Sequence, residues 1–468
     1  MFQITSLGHH GWVFRTPRTV IAVDPLLGPR FAFSRDLIVW PERRLAPARF
    51  PRLDALFLTH EHEGHFDPYT LSQLSRETPV WIPSRSSRAM QQAIEEMGFR
   101  VHRARPGAAL RVGDIELMPM AADQHAAAIE EWDSLAYLAR DLDGHGSFFS
   151  HVDMPPTESM RANALARAGM AGLWAVTANH HQYAFQTSWA AQERAEAAEI
   201  ARRVADENAW LEAHGAAPKR LLLVGGGFAF SGALAWLNRN AFPVDLDAVA
   251  GALAALLPHR RVERPEAGQT WTFVDGEVVA STEAPDVGVG PAPSTSRAFA
   301  GDVTWLEDYA PASGRSRLAE GEFATLRAEL DRFAEGLYGG QTFRALHALQ
   351  EEEVAPREPT FALVLKVDER GGAYVFAYDT TACAFRPVTC DAPTQRYLAV
   401  FECWATDLLD TLLVRHSQND LGFGRCRTWN ADPARFPFNL ARELFLYAHP
   451  LRLPERFLAL YRRAFSAL

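Results

Sequence analysis

Three histidines lie close together in the run THEHEGHFD, from Thr59 to Asp67. The apolar segment LDALFLT ends at Thr59 and has the composition of a buried strand. Asp67 is followed by proline, which is typical of a helix N-cap with proline in the first turn. The histidines therefore lie on a strand-to-helix loop, where two imidazoles two residues apart can converge on one ion. Because imidazole is the commonest protein ligand for zinc and iron, this spacing predicts a metal site.

The other histidines are concentrated in the same half of the chain. Eleven of the sixteen lie between His9 and His181. This half alternates short apolar strands with helical patterns, which indicates an α/β domain over residues 1–280. His9 and His10 lie on the turn of the first hairpin, where we expect them to pack or to position ligands. Glycines between Val224 and Phe228 follow a strand, and we expect a tight loop beside the metal pocket rather than a phosphate loop.

The histidine run resembles the HxHxDH motif of the metallo-β-lactamase superfamily. Two further segments are similar to that superfamily: ITSLGHHGWVF…TVIAVDPLL resembles the first hairpin of the ascorbate-6-phosphate lactonase-like branch, and FFSHVDM resembles the strand whose aspartate bridges two metals. The resemblance covers residues 1–235. It implies an α/β fold, a metallo-β-lactamase αββα sandwich, followed by an α+β C-terminal domain.

The resemblance also implies a set of ligands. His60 and His62 would bind the first metal together with His125, His65 would bind the second, and Asp153 would bridge the two. His181 would be the last ligand and, with Asp153, a catalytic residue. The late ligand is open at this stage, because two other histidines lie near the ends of neighbouring segments: His180 and His214.

Two departures from the motif concern the second metal. Gly64 stands where the superfamily has an aspartate, and His151-Val152-Asp153 stands where it has Gly-Asp. If the strand continued, His151 would face the same side as Asp153 and could also bind the metal. Glu63 could replace the missing carboxylate, as could Asp67, although a helix cap is the expected role of Asp67. We therefore expect one tightly held divalent metal, Zn²⁺ or alternatively Fe, and a weaker second site.

Three classes of function fit such a site. A metal with an open position lowers the pKa of bound water toward about 7, which favours a hydrolase acting on an ester, lactone, amide or phosphodiester. Histidine and carboxylate ligands also suit non-haem iron, so an oxygenase with one or two irons is the alternative. A third possibility is a metal-binding module without catalysis. The expected partner in the first two classes is a small-molecule substrate.

The last third of the chain has a different pattern. Residues 281–296, STEAPDVGVGPAPSTS, are rich in Pro, Gly and Ser and are predicted to be a linker. Residues 297–468 then predict an α+β accessory domain. Strands followed by LLDTLL and LGFGR resemble a sterol-carrier-protein-like domain over residues 355–430. Alternatively, an accessory domain here could cover the metal site or form a homo-oligomer.

Charge and cysteine content limit the partners and the cellular location that we expect for the protein. The formal net charge is −10, so we expect no nucleic-acid partner. Four cysteines in 468 residues do not form a disulfide framework, which favours a reducing, cytoplasmic location. The first residues lack the pattern of a signal peptide, and the glycines in the longest apolar stretch argue against a membrane span.

Overall fold

The structure of the chain is a computed structural model. It describes residues 1–468 apart from 16 gaps, which are 122–130, 155–156, 169–171, 178–196, 214–219, 226, 233–234, 236–237, 239–245, 284–286, 293–310, 312–313, 353–360, 368–371, 433–435 and 437–439.

The strands of the described residues are numbered in chain order. The first twelve are β1 (Phe2–Gly8), β2 (Gly11–Arg15), β3 (Val20–Val23), β4 (Leu37–Val39), β5 (Arg43–Leu45), β6 (Ala55–Phe57), β7 (Val80–Pro83), β8 (Val101–Ala104), β9 (Leu110–Val112), β10 (Ile115–Ala121), β11 (Leu135–Asp141) and β12 (Ser147–Ser150). The others are β13 (Leu173–Thr177), β14 (Arg220–Val224), β15 (Phe228–Phe230), β16 (Arg261–Glu263), β17 (Gln269–Val274), β18 (Glu277–Glu283), β19 (Val289–Pro291), β20 (Phe361–Lys366), β21 (Ala373–Asp379), β22 (Ala384–Val388), β23 (Ala399–Trp404) and β24 (Cys426–Asn430).

The α-helices are numbered in the same way. They are α1 (Pro68–Gln73), α2 (Arg88–Glu96), α3 (Glu158–Ala168), α4 (Ala197–Ala213), α5 (Leu246–Leu256), α6 (Glu322–Leu337), α7 (Gln341–Glu352), α8 (Pro393–Arg396), α9 (Ala405–Leu412), α10 (Gln418–Gly424), α11 (Leu440–Tyr447) and α12 (Pro454–Ser466). Among the described helices, none combines the length and the apolar character needed to cross a lipid bilayer.

Two large sheets face each other in the N-terminal part. The first has the order β18-β17-β1-β2-β3-β6-β7-β8, and the second has the order β16-β14-β13-β12-β11-β10-β9. Aromatic rings from both sheets fill the space between them: the ring centroids of Trp12 and Phe148 are 4.6 Å apart, and those of Phe57 and Tyr137 are 6.1 Å apart. This buried apolar layer is the reason for the sandwich, since each sheet has to cover its inner face.

Helices cover the outer faces of both sheets. On the second sheet, α3, α4 and α5 bury apolar side chains against residues such as Met118 and Trp174. On the first sheet, α2 buries Met90, Ala93 and Ile94, a spacing that places them on one helix face. The four layers are helix, sheet, sheet and helix, so the αββα sandwich implied by the sequence is confirmed.

The C-terminal part is an α+β unit. Its five strands have the order β22-β21-β20-β23-β24, in which β20 and β23 run parallel and the other pairs antiparallel. Helix α12 from this unit packs against α1 and α2 of the sandwich. The apolar core on the outer face of the first sheet therefore continues into the C-terminal part, with Phe33, Phe66 and Tyr461 in mutual ring contact.

The predicted linker, residues 281–296, is not a free linker in its described residues. Strand β18 continues to Glu283 and pairs with β17, and β19 pairs with β5, with Val289 opposite Leu45. The side chains of Val287 and Val289 are buried. Composition was misleading here because Gly and Pro also occur in short edge strands. For these residues the linker prediction is wrong, and the position of a domain boundary stays a prediction.

Candidate metal centre

The histidine loop follows β6 and ends where α1 begins. Asp67 is the N-cap of α1, and its carboxylate accepts hydrogen bonds from the backbone of Tyr69 and Thr70, as the sequence predicted. At the other end of the loop, the carboxylate of Asp24 accepts hydrogen bonds from the backbone N and the hydroxyl of Thr59, at 2.8 and 2.5 Å. The loop is therefore fixed at both ends by carboxylates that cap its backbone.

One group of ligand atoms is formed by His60, His62 and Glu131. The atoms that these three side chains offer all lie within 4.8 Å of one another. His60 Nε2 is 3.7 Å from Glu131 Oε2, and His62 Nδ1 is 3.5 Å from Glu131 Oε1. The arrangement is that of two imidazoles and a carboxylate converging on one point.

A second group is formed by His60, His65 and Asp153. Asp153 follows β12 of the second sheet, so this group joins the two sheets at the ends of their strands. The nitrogen His65 Nε2 is 2.9 Å from Asp153 Oδ2, and His60 Nε2 is 3.5 Å from the same oxygen. On its other side Asp153 has His10, whose Nε2 is 3.1 Å from Oδ1.

His60 is the side chain that both groups share. It is fully buried, and among the described residues its Nε2 atom has no hydrogen-bond partner. Burial lowers the pKa of His60 well below its usual value, and the neighbouring His65 and His62 lower it further. Metal binding requires the neutral imidazole, and an unpaired buried nitrogen costs about 1–3 kcal/mol that a bound cation would remove. The residues present therefore fit a divalent metal.

His65 lies between two carboxylates. Its Nδ1 is 2.7 Å from Asp24 Oδ2 and its Nε2 faces Asp153. Burial alone would lower the pKa of His65, but the charges of Asp24 and Asp153 outweigh it and raise the pKa to about 10. In the same way, His10 and His65 overcome the effect of burial on Asp153 and hold its pKa well below the usual value. A metal bound at His65 would therefore displace a proton.

The space at Gly64 is filled by His9. A Cβ atom built on Gly64 would lie 2.6 Å from His9 Nε2, and one built on Gly227 would lie 2.3 Å from His9 Nδ1. The ring of His9 is thus held between two glycines, next to His65, at a ring-centroid distance of 5.3 Å. The glycine loop before Phe228 therefore allows the close approach predicted for it. An imidazole occupies the volume into which an aspartate at position 64 would extend.

The structure brings four of the predicted ligands together: His60, His62, His65 and Asp153. The other predicted ligands lie outside the described residues, and these are His125, His180, His181 and the alternative His214. Their assignment stays a prediction.

The prediction that His151 joins Asp153 is wrong. Strand β12 ends at Ser150, and Val152 has a φ of +56°, so the alternation of an extended strand does not reach Asp153. The ring of His151 bonds elsewhere: Nδ1 is 2.5 Å from the carbonyl oxygen of Met154, and Nε2 accepts from the backbone N of Thr177. One nitrogen therefore bonds within the turn after β12, and the other bonds to the end of β13.

The carboxylate of Glu63 does not replace the missing aspartate either. It accepts hydrogen bonds from the Ser417 hydroxyl, at 2.7 Å, and from the Asn419 amide, both of which belong to the C-terminal part. Burial, together with the nearby Asp420, raises the pKa of Glu63 to about 7. Both carboxylate oxygens of Asp67 accept hydrogen bonds in the helix cap. Neither side chain belongs to a described ligand group.

Two residues of the candidate site could not be assigned from the sequence. Glu131 lies in EEW, ten residues before the end of β11, and nothing in its spacing relates it to His60. Asp24 lies in the AVDP segment quoted for the family resemblance, which was a usable signal for a carboxylate at a strand end. Its φ of +44° marks a tight turn that aims the carboxylate at the histidine loop.

Known proteins are similar to this chain only at low sequence identity. No protein-family model matches the chain. Over 177 residues it is 25% identical to a protein of Mycobacterium tuberculosis (strain ATCC 25618 / H37Rv) provisionally named a Rieske 2Fe-2S iron-sulfur protein, covering 32% of this chain and 33% of that protein. A protein of Mycolicibacterium smegmatis with a similar name is 27% identical over 99 residues, 21% of this chain and 19% of that protein. The chain thus spans a third or less of these curated relatives.

Several solved structures are similar to part of this chain at low sequence identity. The isothiocyanate hydrolase from Delia radicum gut bacteria is 12% identical and has a TM-score of 0.42, over 58% of this chain and 99% of that chain. CmlA, a diiron beta-hydroxylase from Streptomyces venezuelae, is 17% identical with a TM-score of 0.38, over 57% and 53%. The metallo-beta-lactamase fold protein YhfI from Bacillus subtilis is 14% identical with a TM-score of 0.35, over 58% and 100%.

The N-terminal part has the metallo-β-lactamase fold. This assignment rests on the four layers and on the position of the histidine loop at the strand ends. It does not rest on the solved structures, whose identities and TM-scores are too low to transfer a chemistry.

Proposed function

We propose that the protein is a metal-dependent hydrolase with one tightly held divalent metal, bound by His60, His62 and Glu131 and bordered by His65 and Asp153. The observation that carries the proposal is the buried Nε2 atom of His60, which has no hydrogen-bond partner in the described part of the chain and lies 3.7 Å from Glu131 and 3.5 Å from Asp153. Because both described ligand groups use His60, they favour one metal over two. His125 and His181 remain proposed additional ligands.

A divalent metal held there would act as a Lewis acid and lower the pKa of a bound water toward about 7. The side chains around it have separate roles. Asp153 is the carboxylate placed to orient an attacking water, and His10 Nε2 holds it from the other side, 3.1 Å from its Oδ1. Asp24 fixes the orientation of His65 through its Nδ1 atom. The proposed substrate is an ester, a lactone, an amide or a phosphodiester.

The experiment is elemental analysis of protein purified without added metal, combined with three variants. The double variant His60→Ala/His62→Ala should lose the metal and melt at a lower temperature, because a ligand that binds only the folded state stabilises it. Glu131→Gln should also lose metal while keeping the shape of the side chain. The control is His102→Ala, since His102 stacks on Trp81 on the strands β7 and β8 and belongs to neither ligand group. Full metal content in Glu131→Gln would show that Glu131 is not a ligand.

An iron oxygenase is the second candidate function. Both described ligand groups consist of two histidines and one carboxylate, which is the donor set of non-haem iron oxygenases as well as of some zinc hydrolases. Iron in anaerobically purified protein, with dioxygen consumption and no hydrolysis of a panel of esters, lactones and amides, would favour this function. Protein that binds no metal at all would favour a module without catalysis.

A further inference from the structure

A cavity of about 350 Å³ lies over the metal centre, within the range of roughly 300–1,000 Å³ that is usual for small-molecule sites. Its floor includes His62, Glu131 and Asp153. Its walls come from both parts of the chain, and they are mainly apolar: Phe31 and Phe228 belong to the N-terminal part, whereas Phe445, Leu446 and Phe457 belong to the C-terminal part.

Hydrogen bonds fix the C-terminal wall to the metal loop on both sides of His62. The Tyr461 hydroxyl donates to Glu61 Oε1 at 2.7 Å, and the Ser417 hydroxyl donates to Glu63 Oε1 at 2.7 Å. All four of these groups are buried. The wall is therefore part of the site and the cavity exists only because the two parts are docked.

The charges of the lining disfavour an anionic ligand. Among the lining residues that the structure describes there is no lysine or arginine, whereas four acidic side chains are present: Glu61, Glu63, Glu131 and Asp153. The lining residue His65, whose pKa is raised, already lies between the carboxylates of Asp24 and Asp153. The charge of a divalent metal would be balanced by Glu131 and Asp153. A phosphate or carboxylate on the ligand would then meet no cationic side chain that is not already paired with a carboxylate, and its desolvation would not be offset.

Trp132 is a lining residue that carries a hydrogen-bond donor. It lines the cavity beside His62, at a ring-centroid distance of 5.8 Å, and also contacts His449, at 4.1 Å. Its Nε1 atom is buried and has no hydrogen-bond acceptor among the described residues. An indole N–H can only donate, so its partner has to be an acceptor atom such as a carbonyl oxygen.

We propose that this cavity binds an uncharged, largely apolar substrate whose carbonyl oxygen accepts a hydrogen bond from Trp132 Nε1. The proposal rests on the proposed hydrolase function only for the reaction that the substrate undergoes. The preference for a neutral carbonyl compound rests on the cavity lining alone. It narrows the substrates to neutral esters, lactones and amides and disfavours phosphodiesters. It also gives the C-terminal part a role, because Phe445 and Leu446 on α11 would contact the apolar portion of the substrate.

The test is equilibrium binding of three naphthalene derivatives to the metal-containing full-length protein, without turnover. The probes are 1-acetonaphthone, which is neutral and has a carbonyl, 1-ethylnaphthalene, which has no carbonyl, and 1-naphthoate, which is anionic. We expect 1-acetonaphthone to bind on the order of tenfold more tightly than 1-naphthoate, because the anion gains no charged partner. Tighter binding of 1-naphthoate would overturn the charge argument.

Variants test the Trp132 hydrogen bond and the apolar wall separately. Trp132→Phe keeps an aromatic ring but removes the N–H, so it should weaken 1-acetonaphthone on the order of tenfold and leave 1-ethylnaphthalene unchanged. Phe445→Ala, or Leu446→Trp, which fills the cavity, should weaken both neutral probes. The control is Phe323→Ala, since Phe323 is partly exposed on α6 and does not line the cavity. Unchanged binding in Trp132→Phe, or in both wall variants, would overturn the proposal, whereas protein that binds the probes but hydrolyses no ester would leave it standing and refute only the hydrolase.

Discussion

The clamped position of His9 predicts that residue 64 cannot accept a side chain while His9 is present. A Cβ atom at position 64 would lie 2.6 Å from His9 Nε2, well inside normal contact, and 3.4 Å from Phe31 Cε1. His9 cannot move away easily, because its ring is confined on the other side by Gly227, where a built Cβ atom would lie 2.3 Å from His9 Nδ1. Its own backbone has a φ of +50°, a left-handed conformation that leaves little freedom for adjustment.

Overpacking of this kind costs about 1–3 kcal/mol. We therefore expect Gly64→Ala to lower the free energy of unfolding by about 1–3 kcal/mol, measured by urea denaturation followed by circular dichroism. In the His9→Ala background the same change should cost less than about 0.5 kcal/mol, so the two substitutions should be strongly coupled. Gly251→Ala is the matched control. Gly251 is exposed on α5 with open space around it, and alanine there should stabilise the helix by up to about 1 kcal/mol.

The same clash decides how a second metal could be introduced. Gly64→Asp alone should add no metal, because His9 occupies the space that the carboxylate needs. The double variant His9→Ala/Gly64→Asp should bind additional metal, detected by elemental analysis after dialysis against a metal buffer. Additive costs of the two alanine substitutions, or a gain of metal in Gly64→Asp alone, would refute the reasoning about His9.

Three further predictions follow from other contacts. Burial raises the pKa of Asp420 from 3.8 to about 6, so between these pH values the carboxyl ionises in the unfolded chain but stays protonated in the folded protein. The unfolding free energy should therefore fall by about 3 kcal/mol as the pH rises through this window, and Asp420→Asn should remove the decline in denaturation curves measured from pH 4 to 7. Tyr461→Phe should cost about 1–3 kcal/mol, because the buried Glu61 loses a donor, and an unchanged midpoint would show that Ser87 alone satisfies it. Asp67→Ala should lower stability by about 1 kcal/mol through the lost N-cap, with Asp67→Asn close to the native protein.

The local features of this protein could be predicted from the sequence. The spacing of His60, His62 and His65, the buried strand before them and the Asp67 cap all depend on residues next to one another, and each is found as expected. The absence of a carboxylate at Gly64 could also be seen directly. Such features follow from backbone periodicity and capping, which act over a few residues.

The remaining features depend on contacts between distant residues. Glu131 reaches His60 across 71 positions, and Ser417 and Tyr461 reach Glu63 and Glu61 across 354 and 400. His151 was misassigned because the turn at Val152 ends the strand alternation that the prediction assumed. Sequence spacing alone therefore determined the histidine loop and its fitness for a metal. The carboxylate that faces this loop, the ring that fills the space at Gly64 and the apolar wall of the cavity were decided by tertiary packing, because side-chain convergence depends on how separate elements are docked rather than on their order in the chain.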